Sequence, residues 1–211
     1  FNFVLYVNKD DGIPYSNIDS SDSQGFSIFT ELNDRFIHFS DAVNWLVNNI
    51  GSSRGKSCIV LETDCDSSPL QLPSYLQEIE VWGNKSAFTR QYDSNAANPT
   101  SSETRKTIEV SSSGQFNNIP LWIESNCLFF LVKLKIHSSS NSAGLFRCLG
   151  SRVDLVGVRV IQEVDDGNGY IAIESTNKGF IRIRPFAASW RTGLDKQDPF
   201  FRNKKLAALE L

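Results

Sequence analysis

Pairs of carboxylates are the residues whose type and spacing best suit hydrolysis of a glycosidic bond. Glu124 and Glu174 hold the same place in two similar segments, "IESN" at 123 and "IEST" at 173. If these segments stack two repeats apart, their backbones are about 9.6 Å apart, at the outer edge of the carboxylate separation in inverting glycosidases. Asp64 and Asp66, which follow the apolar run "CIVL" at 58, are a second pair. These four residues are the catalytic candidates.

A third acidic cluster, Glu163, Asp165 and Asp166, lies in "QEVDDGNG" at 162. Asp and Gly are typical turn residues, so a solvated turn explains this cluster more simply than catalysis does. A lyase would instead set a base such as Lys135 or Arg159 against an acidic sugar. The sequence leaves both hydrolase and lyase chemistry open.

Basic residues recur at similar places in successive segments. We expect Lys135, Arg159 and Arg184 to form an outward column, with Lys133 and Arg182 beside it. Like charges on strands about 4.8 Å apart repel each other unless an anion or an acidic side chain lies nearby. One interpretation is a groove for an acidic or phosphate-bearing polysaccharide. The alternative is pairing with acidic neighbours, for which the glutamates at 78 and 80 hold comparable places.

Trp122 is the aromatic residue best placed to contact a sugar. We expect it to point outward in one column with Arg147 and Ala172, beside Glu124. An aromatic ring stacks on the face of a sugar while polar neighbours bind the hydroxyl groups. The alternative is that Trp122 packs beneath the segment 84–106 or against another subunit. The predicted glycan-binding residues are Trp122, Lys135, Arg147, Arg159, Arg182 and Arg184.

A repeated phrase predicts how these residues are positioned. "LVKLKI" at 131 returns as "LVGVRV" at 155 and "FIRIRP" at 180, and a second strand repeats at 123, 148 and 173. The alternation predicts strands with one buried face, and the short polar connections leave no room for βαβ crossover helices. A chain that completes one turn per repeat explains the return of both strands. The sequence therefore predicts an all-β, right-handed parallel β-helix.

The predicted columns also assign an interface. Val132, Val156 and Ile181 are expected to point inward, whereas Leu131, Leu155 and Phe180 should form an outward apolar column. A monomer has no reason to expose a continuous apolar ridge. The outward column therefore predicts either a subunit interface with threefold symmetry or a covering loop.

One amphipathic helix is expected before the repeats. Apolar residues recur at helical spacing over 41–50, Ser40 can cap the first turn, and Gly51 can end the helix. Such a helix would cap the first coil. We therefore predict a single domain over 1–211. It comprises an opening strand, loop and capping helix in 1–57, coils in 58–185 with a surface excursion near 84–106, and a tail in 186–211.

Composition excludes several classes of function. The chain has 211 residues and a net charge of -3, so it lacks the positive field that gathers nucleic acid. No apolar run approaches the roughly 20 residues of a membrane span, and the opening residues lack the basic region of a signal peptide. The four cysteines lack metal-binding spacing and are expected to be buried, with a disulfide as the alternative. No cofactor or metal is predicted.

The first part of the chain resembles a known family. The segments "LYVNKDDGIPYS", "FTELNDRFIHFSDAVNWLVNNI" and "SCIVLETD" are similar to the start of right-handed parallel β-helix domains in phage tail fibres and tailspikes. The later segments match the pectin-lyase-like architecture in their periodicity. This resemblance implies a homotrimer in the extracellular virion tail that contacts other tail or baseplate proteins and a bacterial surface glycan.

The resemblance and the residues together favour a module of a phage tail fibre or tailspike that binds host cell-surface polysaccharide. One alternative is a polysaccharide depolymerase, either a glycoside hydrolase or a lyase. The other is a purely structural segment of a trimeric fibre. Catalytic members of the family carry many more coils than the roughly five expected here, which favours binding over cleavage.

Overall fold

The computed structural model describes residues 2–50, 55–93, 95, 104–111, 121–138, 146–164, 173–176, 179–184 and 201–203. The helices are α1 (Phe39–Ile50) and α2 (Lys85–Tyr92). The strands are β1 (Phe3–Val7), β2 (Ser23–Phe26), β3 (Phe29–Phe36), β4 (Lys56–Leu61), β5 (Cys65–Ser67), β6 (Leu70–Leu72), β7 (Glu78–Trp82), β8 (Lys106–Ser111), β9 (Leu121–Ile123), β10 (Asn126–Phe130), β11 (Val132–Ser138), β12 (Phe146–Leu149), β13 (Arg152–Val156), β14 (Arg159–Val164), β15 (Ile173–Thr176), β16 (Phe180–Arg184) and β17 (Phe201–Asn203). Short 3₁₀ helices lie at Tyr15–Asn17 and Ser74–Leu76.

The strands form three sheets. The first sheet has the order β16-β13-β10-β7-β4-β1-β3-β2, the second β17-β14-β11-β8-β5 and the third β15-β12-β9-β6. From β4 onward, each strand pairs in parallel with the strand three places along the chain, whereas β2 and β3 form an antiparallel pair. All three sheets contribute to one apolar core, as Phe129, Leu134 and Leu121 illustrate.

The predicted fold class is wrong. The chain was expected to be an all-β, right-handed parallel β-helix with one short capping helix. The described residues instead form a mixed α/β structure, with two helices and with strands in mixed and parallel sheets, and no closed β-helix is found among them. The prediction failed because it treated 83–106 as loop and took the segment before α1 for a single strand and a loop, although that segment also contains β2 and β3.

The recurrence of strands is confirmed, but the expected register is wrong. The phrase at 131 belongs to β11 in the second sheet, whereas the phrase at 180 is β16 in the first sheet. Val153 and not Val156 is the partner of Ile181, and Val132 pairs in another sheet with Lys106. The phrases at 131 and 155 each run across a turn, at Leu131 and at Gly157, where φ is 53° and 60°. Alternation alone does not show such a change of strand.

The predicted outward apolar column is wrong for the same reason. Leu131 has no exposed surface and occupies the turn between β10 and β11. Leu155 points into the common core, where it is 1% exposed. Only Phe180 of the three residues is exposed. The column therefore gives no support for a subunit interface.

Helix α1 confirms the amphipathic pattern. Ala42, Val43, Leu46 and Ile50 are buried in the common core, and the Trp45 ring packs edge-on against Phe3 with 5.1 Å between the ring centroids. The expected role of Ser40 as a cap is wrong, because α1 begins at Phe39 and the Ser40 Oγ accepts a hydrogen bond from the Ser68 N–H. Gly51 lies outside the described residues.

Helix α2 lies where a loop was expected, so that part of the 84–106 prediction is wrong. Asn84 caps the helix, since its side chain accepts a hydrogen bond from the Ala87 N–H at 2.9 Å. Phe88 is fully buried against Trp82 and Phe29, on the outer face of the first sheet. Residues 94 and 96–103 lie outside the described part.

Cys58, Cys65 and Cys127 are buried, as expected of small apolar residues. Burial raises the pKa of the Cys65 thiol to about 12, and burial beside Glu80 raises that of Cys58 further. The side chain of Cys148 lies outside the described residues. The thiols of Cys58 and Cys65 are therefore protonated and serve packing.

Candidate functional site: a polar groove on the first sheet

Two rows of side chains cross the outer face of the first sheet. The second row is in register from strand to strand and contains Cys58, Glu80, Leu128, Asp154 and Arg182. The first row lies two residues earlier on each strand and contains Lys56, Glu78, Asn126, Arg152 and Phe180. The Asn126 Oδ1 accepts a hydrogen bond from the Arg152 N–H at 3.0 Å, which joins the two halves of the first row.

A trough of about 280 Å³ on this face is lined by residues of both rows, from β4 to β13. Its floor includes the half-buried Leu128, with Glu80 on one side and Asp154 on the other. Because Glu80 and Asp154 lie two strands apart in one row, their backbones are separated by about 9.6 Å. The trough therefore has an apolar floor between two acidic walls.

The Glu80 wall is held in a fixed orientation. Its Oε2 accepts hydrogen bonds from the Tyr92 hydroxyl at 2.6 Å and the Trp82 indole N–H at 3.0 Å, and Cys58 Sγ lies 3.4 Å away. Its Oε1 lies 3.1 Å from Lys56 Nζ, which lines the trough. Burial alone would lower the pKa of Lys56, but the attraction of Glu80 and Glu78 raises it. Glu80 is 8% exposed and well satisfied.

The Asp154 wall is held by two arginines. Asp154 Oδ1 lies 2.6 Å from Arg182 Nε, and its Oδ2 lies 3.1 Å from both Arg182 Nη2 and Arg152 Nη2. Burial raises the pKa of Asp154, but the hydrogen bond from Arg182 and the nearby arginine charges outweigh burial and lower it. The same hydrogen bond raises the pKa of Arg182.

A second cavity, of about 530 Å³, lies at the corner between the third and first sheets. Backbone turns at Gln77 and Gly150, both with positive φ, shape this corner cleft, and Ser74, Ser151 and Glu124 add polar groups. Lys56, Glu78 and Asn126 line both the corner cleft and the trough. The two cavities are therefore neighbouring parts of one surface, named here the groove.

Trp122 lies beside the groove. Its half-buried ring donates an indole N–H hydrogen bond to Glu124 Oε1 at 2.9 Å, and Glu124 lines the corner cleft. One residue of the expected column is corrected. The backbone in register with Trp122 and Arg147 is that of Glu174 and not that of Ala172. Ala172 lies outside the described residues.

The predicted basic column does not exist as one column. Lys135 is in register with Ile161, Arg159 with Lys133, and Arg184 lies in a different sheet. Lys135 Nζ lies 3.4 Å from Glu109 Oε1, and His137 also contacts Glu109, so acidic neighbours pair with part of this surface. Of the predicted basic residues, Arg182 contributes to the groove, because it donates hydrogen bonds to Asp154.

The predicted catalytic pairs are not brought together as expected. The backbone of Glu174 is in register with Trp122, two residues before Glu124, so the two glutamates do not share a column. Asp64 Oδ1 accepts the Thr107 N–H at 2.7 Å, and Asp66 pairs with Lys9 at 3.2 Å on the second sheet. The side chains of Arg147, Glu163 and Glu174 and all of Asp165 and Asp166 lie outside the described part.

Sequence reasoning missed Glu80, Leu128 and Asp154. Glu80 and Asp154 belong to the alternating segments "EIEVW" at 78 and "RVDLV" at 152. A search for charged residues at outward positions of paired strands would have found both of them. The register that places them on either side of Leu128 could not be read from the sequence, because the strand boundaries were misplaced.

Within the described ranges, no group of three or more His, Cys, Asp and Glu residues could hold a metal ion. No helix in that part is long and apolar enough to cross a membrane. Comparisons with models of protein families, with curated proteins and with solved structures find no match for this chain.

Proposed function

We propose that the groove binds a polysaccharide, and that the chain acts as a recognition module. The observation that supports this most is the trough, in which the apolar Leu128 lies between the hydrogen-bonded carboxylates of Glu80 and Asp154. Sugars present both an apolar C–H face and hydroxyl groups, so a site for them combines an apolar surface with convergent polar groups. Side chains that are already fixed lose little entropy on binding.

The charge of the groove favours an uncharged or amine-bearing glycan. The lining of the trough and the corner cleft contains four carboxylates, at 78, 80, 124 and 154, but only two cations, Lys56 and Arg152. An acidic polymer would therefore meet a net negative lining. The proposed ligand therefore differs from the acidic polysaccharide expected from the basic column.

Binding fits the groove better than cleavage does. A hydrolase needs one carboxyl group that carries a proton at working pH and a second that is ionised. Asp154 has a lowered pKa between two arginines, and Glu80 accepts three hydrogen bonds and forms an ion pair with Lys56. The polysaccharide depolymerase is the second candidate, and the assay for binding tests it in the same samples.

The biological setting that we propose is the virion tail of a phage, where such a module would attach the particle to a host surface glycan. This setting rests on the resemblance of 5–16, 29–50 and 57–64 to tail-fibre and tailspike domains. A homotrimer, contacts with other tail or baseplate proteins and the extracellular location belong to the same proposal.

A panel of polymers tests the proposal. Neutral polymers (dextran, mannan), an amine-bearing polymer (chitosan), an acidic polymer (polygalacturonate) and bacterial O-polysaccharides would be titrated against the protein by calorimetry. We expect binding to a neutral or amine-bearing polymer, without new reducing ends. Release of reducing ends would establish the depolymerase instead, and no binding to any polymer would contradict the proposal.

The variant Leu128→Arg places a long charged side chain on the floor of the trough. We expect it to weaken polymer binding at least about tenfold, because the sugar loses its apolar contact surface. Ile161→Arg is the matched control, since Ile161 is also half-buried on a strand of a parallel sheet but lies in the second sheet. Equal loss in both variants, or no loss in Leu128→Arg, would show that the trough is not the site.

A further inference from the structure

Phe180 is an exposed aromatic residue at the end of the first row. It is 54% exposed, whereas other large aromatic residues on this face, such as Trp82 and Phe130, are buried. A single exposed ring is common on protein surfaces, so its position relative to the groove decides whether it is a candidate contact.

The position of Phe180 relates it directly to the groove. Phe180 is in register with Arg152, whose side chain lines the trough, and the neighbouring pair is Asp154 with Arg182. One strand step is about 4.8 Å, so Phe180 lies one step beyond Arg152 and two beyond Asn126. A polymer that lies across the strands in the trough would reach Phe180 next.

The chemistry of this end differs from that of the rest of the groove. From β4 to β13 the first row offers charged and amide groups, which bind hydroxyl or amine groups. Phe180 offers only a ring, and a ring recognises the apolar C–H face of a sugar through stacking. The adjacent Asp154 is already held by Arg182 and Arg152, which fixes the surroundings of the ring.

We propose that Phe180 is a stacking platform that adds a terminal sugar subsite to the groove and makes affinity depend on chain length. This inference rests on the proposed function. It assigns the far end of the groove to an uncharged sugar ring and the acidic part, nearer Glu78 and Glu80, to hydroxyl or amine groups.

The test uses size-fractionated fragments of the polymer that binds most tightly in the panel. We expect wild-type affinity to rise once the fragment is long enough to reach Phe180. In Phe180→Ala the long fragments should bind roughly three- to tenfold more weakly, whereas the short fragments bind as to wild type. Phe180→Trp should restore the gain. Ile28→Ala is the control, because Ile28 is 62% exposed in the β2–β3 turn at the opposite end of the first sheet.

The outcomes separate the two proposals. If wild type binds but Phe180→Ala has wild-type affinity for every length, the platform is overturned and the proposed function stands. If Phe180→Ala lowers the molar mass of the protein in sedimentation experiments, Phe180 is a contact between copies of the chain. The proposal of a stacking platform is then overturned as well. If wild type binds no polymer, the proposed function fails and the platform fails with it.

Discussion

At the scale of single residues, Glu80 shows how a buried carboxylate is stabilised on a sheet surface. It combines three hydrogen bonds to one oxygen, from Cys58, Trp82 and Tyr92, with an ion pair to the other. A buried charge is tolerated only when such partners are present. Tyr92 also connects Glu80 to α2, and burial together with the Glu80 hydrogen bond raises the pKa of the Tyr92 hydroxyl, so this hydroxyl keeps its proton as a donor.

We expect Glu80→Gln to lower the free energy of unfolding by about 2 kcal/mol. The amide removes the charge opposite Lys56 and replaces one acceptor with a donor that faces other donors. Urea denaturation measures the change. Glu78→Gln is the control, because Glu78 is exposed and lies 3.9 Å from Lys56, and it should change stability by less than about 0.5 kcal/mol. Equal effects of the two variants would show that burial of Glu80 is unimportant.

Residue roles were predictable only where they did not depend on register. The hydrogen bond between Trp122 and Glu124 joins residues two apart in the chain, so their proximity was visible in the sequence. The partners of Asp154 lie on its own strand and on β16, and only correct pairing reveals Arg182. The prediction that Glu124 and Glu174 share a column was wrong for this reason, because the register expected for one strand was off by two residues.

At the scale of secondary structure, the turns between the first and second sheets are the most constrained elements. The chain leaves the first sheet at Gly83, Leu131 and Gly157, and the N–H of each donates to a carbonyl on the next strand of the first sheet, at 2.9 Å. A Cβ on Gly83 would lie 1.9 Å from the Leu131 carbonyl oxygen. Close contact with backbone, which cannot rotate away, explains the glycine.

We expect Gly83→Ala to lower the free energy of unfolding by more than about 2 kcal/mol, because the added methyl group forces the stacked turns apart. Gly25→Ala is the control. A Cβ on Gly25 meets nothing within 4 Å, so this change should stay within about 0.5 kcal/mol of wild type. Thermal denaturation followed by circular dichroism compares the two variants, and similar melting temperatures would contradict the steric account.

The two helices show which elements a sequence reveals. Helix α1 buries an apolar face with helical spacing and was predicted. Helix α2 has eight residues, of which only Ala87 and Phe88 are buried, and its sequence is mostly polar. Its position depends on aromatic contacts with Trp82, at the end of the preceding strand, and with Phe29 on the sequence-distant β3. The pattern of apolar residues within the segment gives no sign of these contacts, so the segment was predicted to be a loop.

At the scale of the whole molecule, ion pairs between distant segments link stability to pH. Burial raises the pKa of Glu62, but hydrogen bonds from Lys85, Arg35 and Asn8 outweigh it and lower the pKa. The pKa of Asp154 is lowered as well. These carboxylates join β4 to β3 and α2, and β13 to β16.

We expect the free energy of unfolding to fall as pH is lowered from about 5 to 3. The folded-state pKa values lie below the ordinary values of 4.5 for Glu62 and 3.8 for Asp154, so the stabilisation is complete above those values and is lost as the groups are protonated. Urea denaturation at several pH values measures the slope. In Glu62→Gln the slope should be shallower, and an unchanged slope would show that Glu62 does not contribute.

Strand β1 lies inside the first sheet, between β3 and β4, and both of these neighbours come later in the chain. At roughly 5–20 residues per second of synthesis, β1 therefore leaves the ribosome several seconds before β4 is complete. During this interval β1 can pair with β3 but not with β4, so one of its two edges has no native partner. A nascent chain of this protein consequently carries a strand with one unpaired edge until β4 emerges, and chaperone binding during that interval would prevent its aggregation with other nascent chains.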